Sequence, residues 1–115
     1  DLYHLDAKRR PTFRYHFGEV VVEDFFEDVR DREGKAFFRR TLKFTSAKPE
    51  PPFVFRAAAG KAVRQASERD FLIDALRLRV TSDHRGKMRP GEPGDVLIPI
   101  VPTAGHSILN LEYQW

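Results

Sequence analysis

The sequence predicts an all-β protein, an antiparallel β-sandwich of seven to nine short strands, with a small β-barrel as the alternative. Apolar and polar residues alternate in at least six segments, which is the period of a strand with one buried face. Turn signals rich in Gly and Pro separate these segments. The 115 residues are expected to form a single domain, and one sheet alone would leave its apolar face uncovered.

The segment "TFRYHFGEVVVEDF" predicts the first two strands. Phe13, Tyr15 and Phe17 fall on one side of an extended chain, and Val20 and Val22 share a side of the strand that follows. The glycine between the two strands supplies the turn.

A polar hairpin, "DVRDREGK", is predicted next, with Gly34 able to adopt a positive φ. It leads into "AFFRRTLKFTS", where Phe38, Leu42 and Phe44 share one face and Arg39 lies on the other. The stretch "AKPEPP" has three prolines in six residues, so it is predicted to be a stiff connection rather than a central strand.

The second half continues the pattern. Short strands are predicted at "FVFRA" and "AVRQAS", with a turn at Gly60 between them, and one or two strands at "FLIDALRLRVTS". A loop, "DHRGKMRPGEPGD", precedes the last two strands, "DVLIPIVP" and "SILNLEYQW". The residues predicted to be buried in the core are Phe13, Phe38, Leu42, Phe44, Leu78, Ile98 and Leu111.

The charge distribution bears on possible partners. The formal net charge is +3, but residues 19–33 hold seven acids against two bases, whereas residues 34–89 hold fourteen bases against five acids. These bases are mostly single residues between apolar ones, which is typical of the solvated side of a sheet. We therefore expect no nucleic-acid partner. The apolar runs are also too short for a transmembrane segment.

The sequence indicates no catalytic site and no cofactor. Without cysteine the chain has no thiolate nucleophile, no zinc–thiolate site and no c-type haem attachment. The adjacent His106 and Ser107 would point in opposite directions on a strand, so they cannot pair without a special turn. The histidines, which lie far apart without metal-ligand spacing, are His4, His16, His84 and His106. We therefore predict that this segment is not an enzyme.

The acidic run "EDFFEDVRDRE" is a candidate calcium site, because hard cations bind clustered oxygens. Its candidate ligands are Asp24, Glu27, Asp28 and Asp31. Two arginines interrupt the run, and it lacks the Asp-x-Asp-x-Asp-Gly order. The favoured interpretation is a solvated hairpin end that pairs with nearby bases, and no metal.

A basic stripe is the main candidate for partner contact. Its cations alternate with core residues, so they are expected to point outward once the core forms. They are Arg14, Arg39, Lys43, Arg77 and Arg79. Like charges directly opposed destabilise a sheet, so acidic neighbours are needed, and Glu23 or Glu112 can supply them. The alternative is an ordinary solvated face with weak cross-strand ion pairs.

Carbohydrate binding is the alternative function. It needs exposed aromatic rings that stack on sugars, and the candidates besides Phe are Tyr3, Tyr15, Tyr113 and Trp115. Tyr15, Tyr113 and Trp115 are in phase with core residues, so we expect them to pack rather than to form platforms.

Three stretches, "YHLDAKRRPTFRYHFGEVVVED", "FFRRTLKFTS" and "LNLEYQW", carry a family resemblance. The chain resembles a β-rich segment of large exported bacterial proteins that join a propeller similar to glucose/sorbosone dehydrogenases to cytochrome c modules. The resemblance implies a periplasmic or extracellular location, a β-sandwich fold and an accessory role near redox modules. No propeller, quinone-binding or haem-ligating motif of that family lies in this sequence, so no functional residue carries over.

The function predicted from the sequence is a non-catalytic accessory module that contacts neighbouring domains or subunits of a larger exported assembly. The chain begins without Met and ends on Trp115, so we expect residues 1–115 to be one domain of a longer polypeptide.

Overall fold

The structure, a computed structural model, describes residues 2–5 and 11–115, with side chains from residue 12 onward. Eleven strands and no helix form in this part of the chain. The strands are β1 (Leu2–Leu5), β2 (Pro11–Phe17), β3 (Val20–Arg30), β4 (Ala36–Ser46), β5 (Phe53–Gly60), β6 (Val63–Gln65), β7 (Asp70–Ile73), β8 (Leu76–Val80), β9 (Lys87–Arg89), β10 (Gly94–Ile100) and β11 (Gly105–Gln114). The all-β prediction is confirmed.

Two sheets make the sandwich. The large sheet has eight strands in the order β1-β2-β3-β4-β11-β8-β7-β6, and the small sheet has three in the order β5-β10-β9. All the strand pairs are antiparallel. The chain crosses from the large sheet to the small one through the proline-rich stretch 47–52, which forms no strand, as predicted. The sheets are separate, so the alternative of a closed barrel is not formed.

The described residues contain more strands than the sequence predicts. β1 precedes the first predicted strand, and β9 forms inside the predicted Gly- and Pro-rich loop, where Met88 pairs with Val96 of β10. Three residues are too few to show an alternation, so β9 depends on the strand beside it. The segment expected to form one or two strands forms two, β7 and β8, joined at Asp74 with a positive φ of 52°. The predicted turn glycines, Gly18 and Gly34, also have positive φ.

The core lies between the inner face of the large sheet, the face turned toward the small sheet, and the small sheet itself. Its buried apolar residues are Val20, Val22, Leu42, Phe44, Ala57, Phe71, Ile73, Leu78, Val80, Val96, Ile98, Ile100, Leu109 and Leu111. Strands from both halves of the chain contribute to this one cluster, which is what a single packed sandwich requires.

Five of the seven residues predicted to be buried are in this core, and two are not. Phe13 is 41% exposed and Phe38 is 37% exposed. Both are on the inner face, in register with Asp24 and with Tyr113 respectively. Three strands cannot cover eight, so aromatic side chains at the margins of the inner face remain partly in solvent. The alternation predicted their side of the sheet correctly and their burial wrongly.

No helix in the described residues is long and apolar enough to cross a membrane.

Candidate functional site

The five cations predicted for partner contact all lie on the outer face of the large sheet, the face turned away from the small sheet. Arg14 pairs across the strands with Glu23, and Glu23 pairs with Lys43. Arg39 and Arg79 pair with Glu112 from the two strands on either side of it, which places the three residues in one row across the sheet. Arg77 lies in the next row. Both predicted acidic neighbours, Glu23 and Glu112, are therefore in place.

One complete row of the outer face forms a charged ladder, which we define as Glu27, Arg39, Glu112, Arg79 and Asp70 on five adjacent strands. Acids and bases alternate along it. Arg39 lies 3.5 Å from Glu27 and 3.8 Å from Glu112. Arg79 lies 2.9 Å from Asp70 and is opposite Glu112. The ladder is a set of cross-strand ion pairs, so Arg39 and Arg79 are already engaged within the sheet.

Asp70 anchors one end of the charged ladder. It is 6% exposed, and its carboxylate accepts hydrogen bonds from Arg79 Nε at 2.9 Å and from Ser67 Oγ at 2.7 Å. The hydrogen bond from Arg79 is the main reason that the pKa of Asp70 is lowered, and it outweighs the opposing effect of burial. A buried carboxylate held in this way stays ionised and fixes β7 against β8.

The next row of the outer face has a different charge balance. This cation row is Gln114, Arg77, Leu72 and Arg64, and it contains two arginines and no acid. Arg77 is more than half exposed, and its nearest carboxylate oxygen, on Asp70 in the neighbouring row, is 3.9 Å away. A depression of about 290 Å³ adjoins this row, lined by Asp31, Phe37, Arg77, Arg79, Glu112 and Gln114. The cation row therefore has two arginines whose charges no acid of the same row balances.

The candidate calcium ligands are not brought together. Alternation places Asp24 on the inner face, where it pairs with Arg40, and Glu27 on the outer face. Asp28 is exposed, and Asp31 accepts two backbone N–H bonds within the hairpin. The part of the chain that the structure describes has no group of three or more His, Asp or Glu placed to hold a metal ion.

The histidines remain apart. His16 and His106 are exposed on the outer face, and the side chain of His4 lies outside the described residues. The Nδ1 atom of His84 lies 2.9 Å from the hydroxyl of Ser82, and burial lowers the pKa of this imidazole. Among the described residues, the ring of His84 thus contacts a hydroxyl.

The inner face carries a polar network that the sequence analysis did not identify. Arg40 donates to both carboxylate oxygens of Asp24, from Nε at 2.9 Å and from Nη2 at 2.6 Å. Its Nη1 donates to the hydroxyl of Tyr113 at 3.3 Å, and that hydroxyl donates to the carbonyl of Ala57 at 2.9 Å. Ala57 is the extra residue of a β-bulge between β5 and β10, and this bond gives its carbonyl a side-chain donor. The network joins β3, β4 and β11 to the small sheet.

Two aromatic rings enclose the guanidinium of this network. The centres of the Phe26 and Phe55 rings each lie 4.9 Å from Arg40 Cζ, one ring from each sheet. Burial alone would lower the pKa of Arg40, but the hydrogen bonds to Asp24, together with the charges of Tyr113 and Asp24, hold this pKa above the usual range. Burial is also the main reason that the pKa of Tyr113 is raised. The ion pair is thus desolvated, paired and held in one orientation.

The sequence contains a signal for this network. Asp24 is in phase with Val20 and Val22, and Arg40 is in phase with Leu42, so two opposite charges fall on apolar faces. A charged residue on a buried face needs a partner, and each is the natural partner of the other. What the sequence does not supply is the register that places Arg40 beside Asp24.

Next to this network the sandwich is open. We define the open end as the cavity of about 340 Å³ lined by Phe26, Phe38, Arg40, Ala57, Tyr113 and Trp115. Phe38 and Trp115 form an edge-to-face pair, with ring centres 5.4 Å apart and planes at 80°. Trp115 is 68% exposed, so the expectation that it packs in the core is wrong. Tyr15 and Tyr113 do pack against the core, and the side chain of Tyr3 lies outside the described residues.

The fold and these surfaces define an antiparallel β-sandwich with an uncovered charged sheet face and an aromatic cavity at one margin. No protein-family model, no curated protein and no solved structure matches this chain.

Proposed function

We propose that this domain is a non-catalytic interaction module that holds an acidic segment of a neighbouring domain or subunit on the outer face of its large sheet. The observation that carries the proposal is the cation row, where Arg64 and Arg77 flank Leu72 without an acid in the row. In the charged ladder beside it, the arginines are already paired with acids of the same row, so they are less available to a partner.

The chemistry of the row favours carboxylates. Arginine presents a planar fork that binds a carboxylate through two hydrogen bonds, and Arg77 is exposed enough to do so. Leu72, half-buried between the two arginines, offers apolar contact at the centre of the row. The depression beside Arg77 also contains Phe37 and Gln114, which give shape and a further hydrogen-bonding group. A contact of this kind weakens with salt, because exposed charges are screened beyond about 8 Å at physiological ionic strength.

The test reverses the two cations in the double variant Arg64→Glu/Arg77→Glu and titrates this chain with a glutamate-rich peptide at low and high salt. We expect the parent to bind more tightly at low salt and the variant to bind at least about tenfold more weakly. Lys87→Glu is the matched control, because it reverses an exposed cation on the small sheet. Equal affinity of the parent and the double variant contradicts the proposal, provided circular dichroism shows both folded.

The wider setting is a proposal that rests on the family resemblance. We propose that the domain belongs to an exported bacterial protein and lies near redox modules. The complete open reading frame tests this. A signal peptide together with a propeller or a Cys-x-x-Cys-His haem motif supports it, and a gene product without them contradicts it.

A further inference from the structure

We propose that the open end of the sandwich is a binding site for a neutral sugar ring, presented by an oligosaccharide or polysaccharide. The site lies on the inner face of the large sheet, whereas the cation row lies on the outer face, so the two proposals stand independently. Three features of the open end support a sugar: the arrangement of its rings, its charge balance and the fixed position of its guanidinium.

The rings at the open end form a corner. Trp115 and Phe38 meet edge to face at 80°, so a ligand can lie on the face of one ring while it touches the other. The electron-rich face of an aromatic ring attracts the slightly positive C–H groups on one side of a pyranose. Trp115 has the largest aromatic surface in the chain and is mostly exposed, which suits the role of platform.

The charge balance selects a neutral ligand. Asp24 compensates the charge of Arg40 through two hydrogen bonds, so the open end has little net charge to attract an anion. Arg40 has five N–H groups, and three of them are used by Asp24 and Tyr113 in the part of the chain that the structure describes. The remaining two are suited to the hydroxyl oxygens of a sugar. A ligand that is apolar on one side and carries hydroxyls at its rim matches both kinds of group.

The guanidinium at the open end is positioned before a ligand arrives. Asp24 and the rings of Phe26 and Phe55 fix the guanidinium of Arg40, so binding does not have to order it. The cavity of about 340 Å³ is at the small end of the range typical of ligand pockets, about 300–1,000 Å³. It therefore suits one ring of a chain, with the rest of the oligosaccharide outside.

Trp115 is the only tryptophan of the sequence, so its fluorescence reports on the open end directly. The experiment titrates the protein with cellohexaose, xylohexaose and mannohexaose, and with hexagalacturonate as the anionic comparison. We expect a saturable change in fluorescence with at least one neutral sugar and a weaker response to the anionic one. For Trp115→Ala, which lacks the fluorophore, the affinity is measured from chemical-shift changes in nuclear magnetic resonance spectra.

The variants separate the open end from other surfaces. Trp115→Ala and Phe38→Ala remove exposed rings and should each weaken binding by about tenfold or more. Phe17→Ala removes another exposed inner-face ring outside the cavity and should bind like the parent. The cation-row variant Arg64→Glu/Arg77→Glu should also retain sugar binding.

The following results each overturn the proposal. The first is no response to any of the neutral sugars, and the second is unchanged affinity in both ring variants. The third is tighter binding of hexagalacturonate than of every neutral sugar. The fourth is a homodimer, detected by sedimentation, in which Trp115 is buried. Loss of binding in the cation-row variant would instead assign the sugar to the outer face.

Discussion

Arg40 and Asp24 lie side by side on adjacent strands of the inner face and form an ion pair with two hydrogen bonds, of 2.9 and 2.6 Å. This is a strong geometry for a buried pair, because both carboxylate oxygens are satisfied and the guanidinium stacks between two rings. In these buried surroundings water cannot readily take the place of either charged partner. Several properties of the protein depend on this pair and on the tyrosine attached to it.

Breaking the pair should be more harmful than removing it. Arg40→Met leaves the Asp24 carboxylate buried without its cation, and we expect the free energy of unfolding to fall by about 3–5 kcal/mol. The double variant Arg40→Met/Asp24→Leu should recover most of that loss, because no unpaired charge remains. Urea denaturation of the three proteins measures both effects. If Arg40→Met is as stable as the parent, the ion pair is well hydrated and the expectation is contradicted.

Tyr113→Phe tests the link between the sheets. The change removes the hydroxyl that donates to the buried carbonyl of Ala57, so that carbonyl loses this donor and stability should fall by about 1–3 kcal/mol. Tyr15→Phe is the control, because the hydroxyl of Tyr15 makes no hydrogen bond among the described residues. Thermal denaturation should separate the two variants, and equal melting temperatures would contradict a linking role for Tyr113.

The pKa of Tyr113 predicts a dependence on alkaline pH. Burial raises this pKa above the value of 10.0 in an unfolded chain. Folding thus favours the neutral phenol. Its contribution to the free energy of unfolding is complete below pH 10 and is lost as the pH rises through the pKa of Tyr113 in the folded protein. Stability should decline at strongly alkaline pH, and Tyr113→Phe should reduce the decline. Denaturation followed across that pH range measures the slope, and an identical slope in the variant would contradict the assignment.

Asp70 predicts the opposite dependence, at acidic pH. Its pKa is lowered below 3.8, chiefly by the hydrogen bond from Arg79, so folding favours the carboxylate. That stabilisation is present above pH 3.8 and is lost as the pH falls through the pKa of Asp70 in the folded protein. Asp70→Asn should therefore lower stability at neutral pH and flatten the acid limb of the stability curve. Asp83→Asn, at a fully exposed aspartate, should do neither.

Two phenylalanines of β4 give a test of how far the small sheet extends. Phe44 is 3% exposed, and Phe44→Ala should cost about 3–5 kcal/mol through lost burial and a cavity. Phe38 is on the same face but 37% exposed, so Phe38→Ala should cost clearly less. Similar losses in both variants would mean that the core continues to the end of β4.

The sequence predicted strands and their faces well because the pleat of a strand is local. Alternation placed Leu42 and Phe44 inward and Arg39 outward without knowledge of their partners, and it put Val20 and Val22 on one shared side, which the structure buries. It failed for β9, which is three residues long and exists because β10 lies beside it. It identified Glu23 and Glu112 as acidic neighbours of the basic stripe but not which cation each one meets, since the order along a row depends on which strands are neighbours.

The amino-acid sequence by itself determined the all-β class, the inward and outward phase of the strands and the turn positions, because each depends on the conformation of a few consecutive residues. The tertiary structure decided what those faces meet. Strand order joined Arg40 to Asp24, balanced the charged ladder and left Arg64 and Arg77 in one row without an acid. The unequal size of the two sheets decided that Trp115 and Phe38 line an open cavity, because burial is set by the element packed opposite.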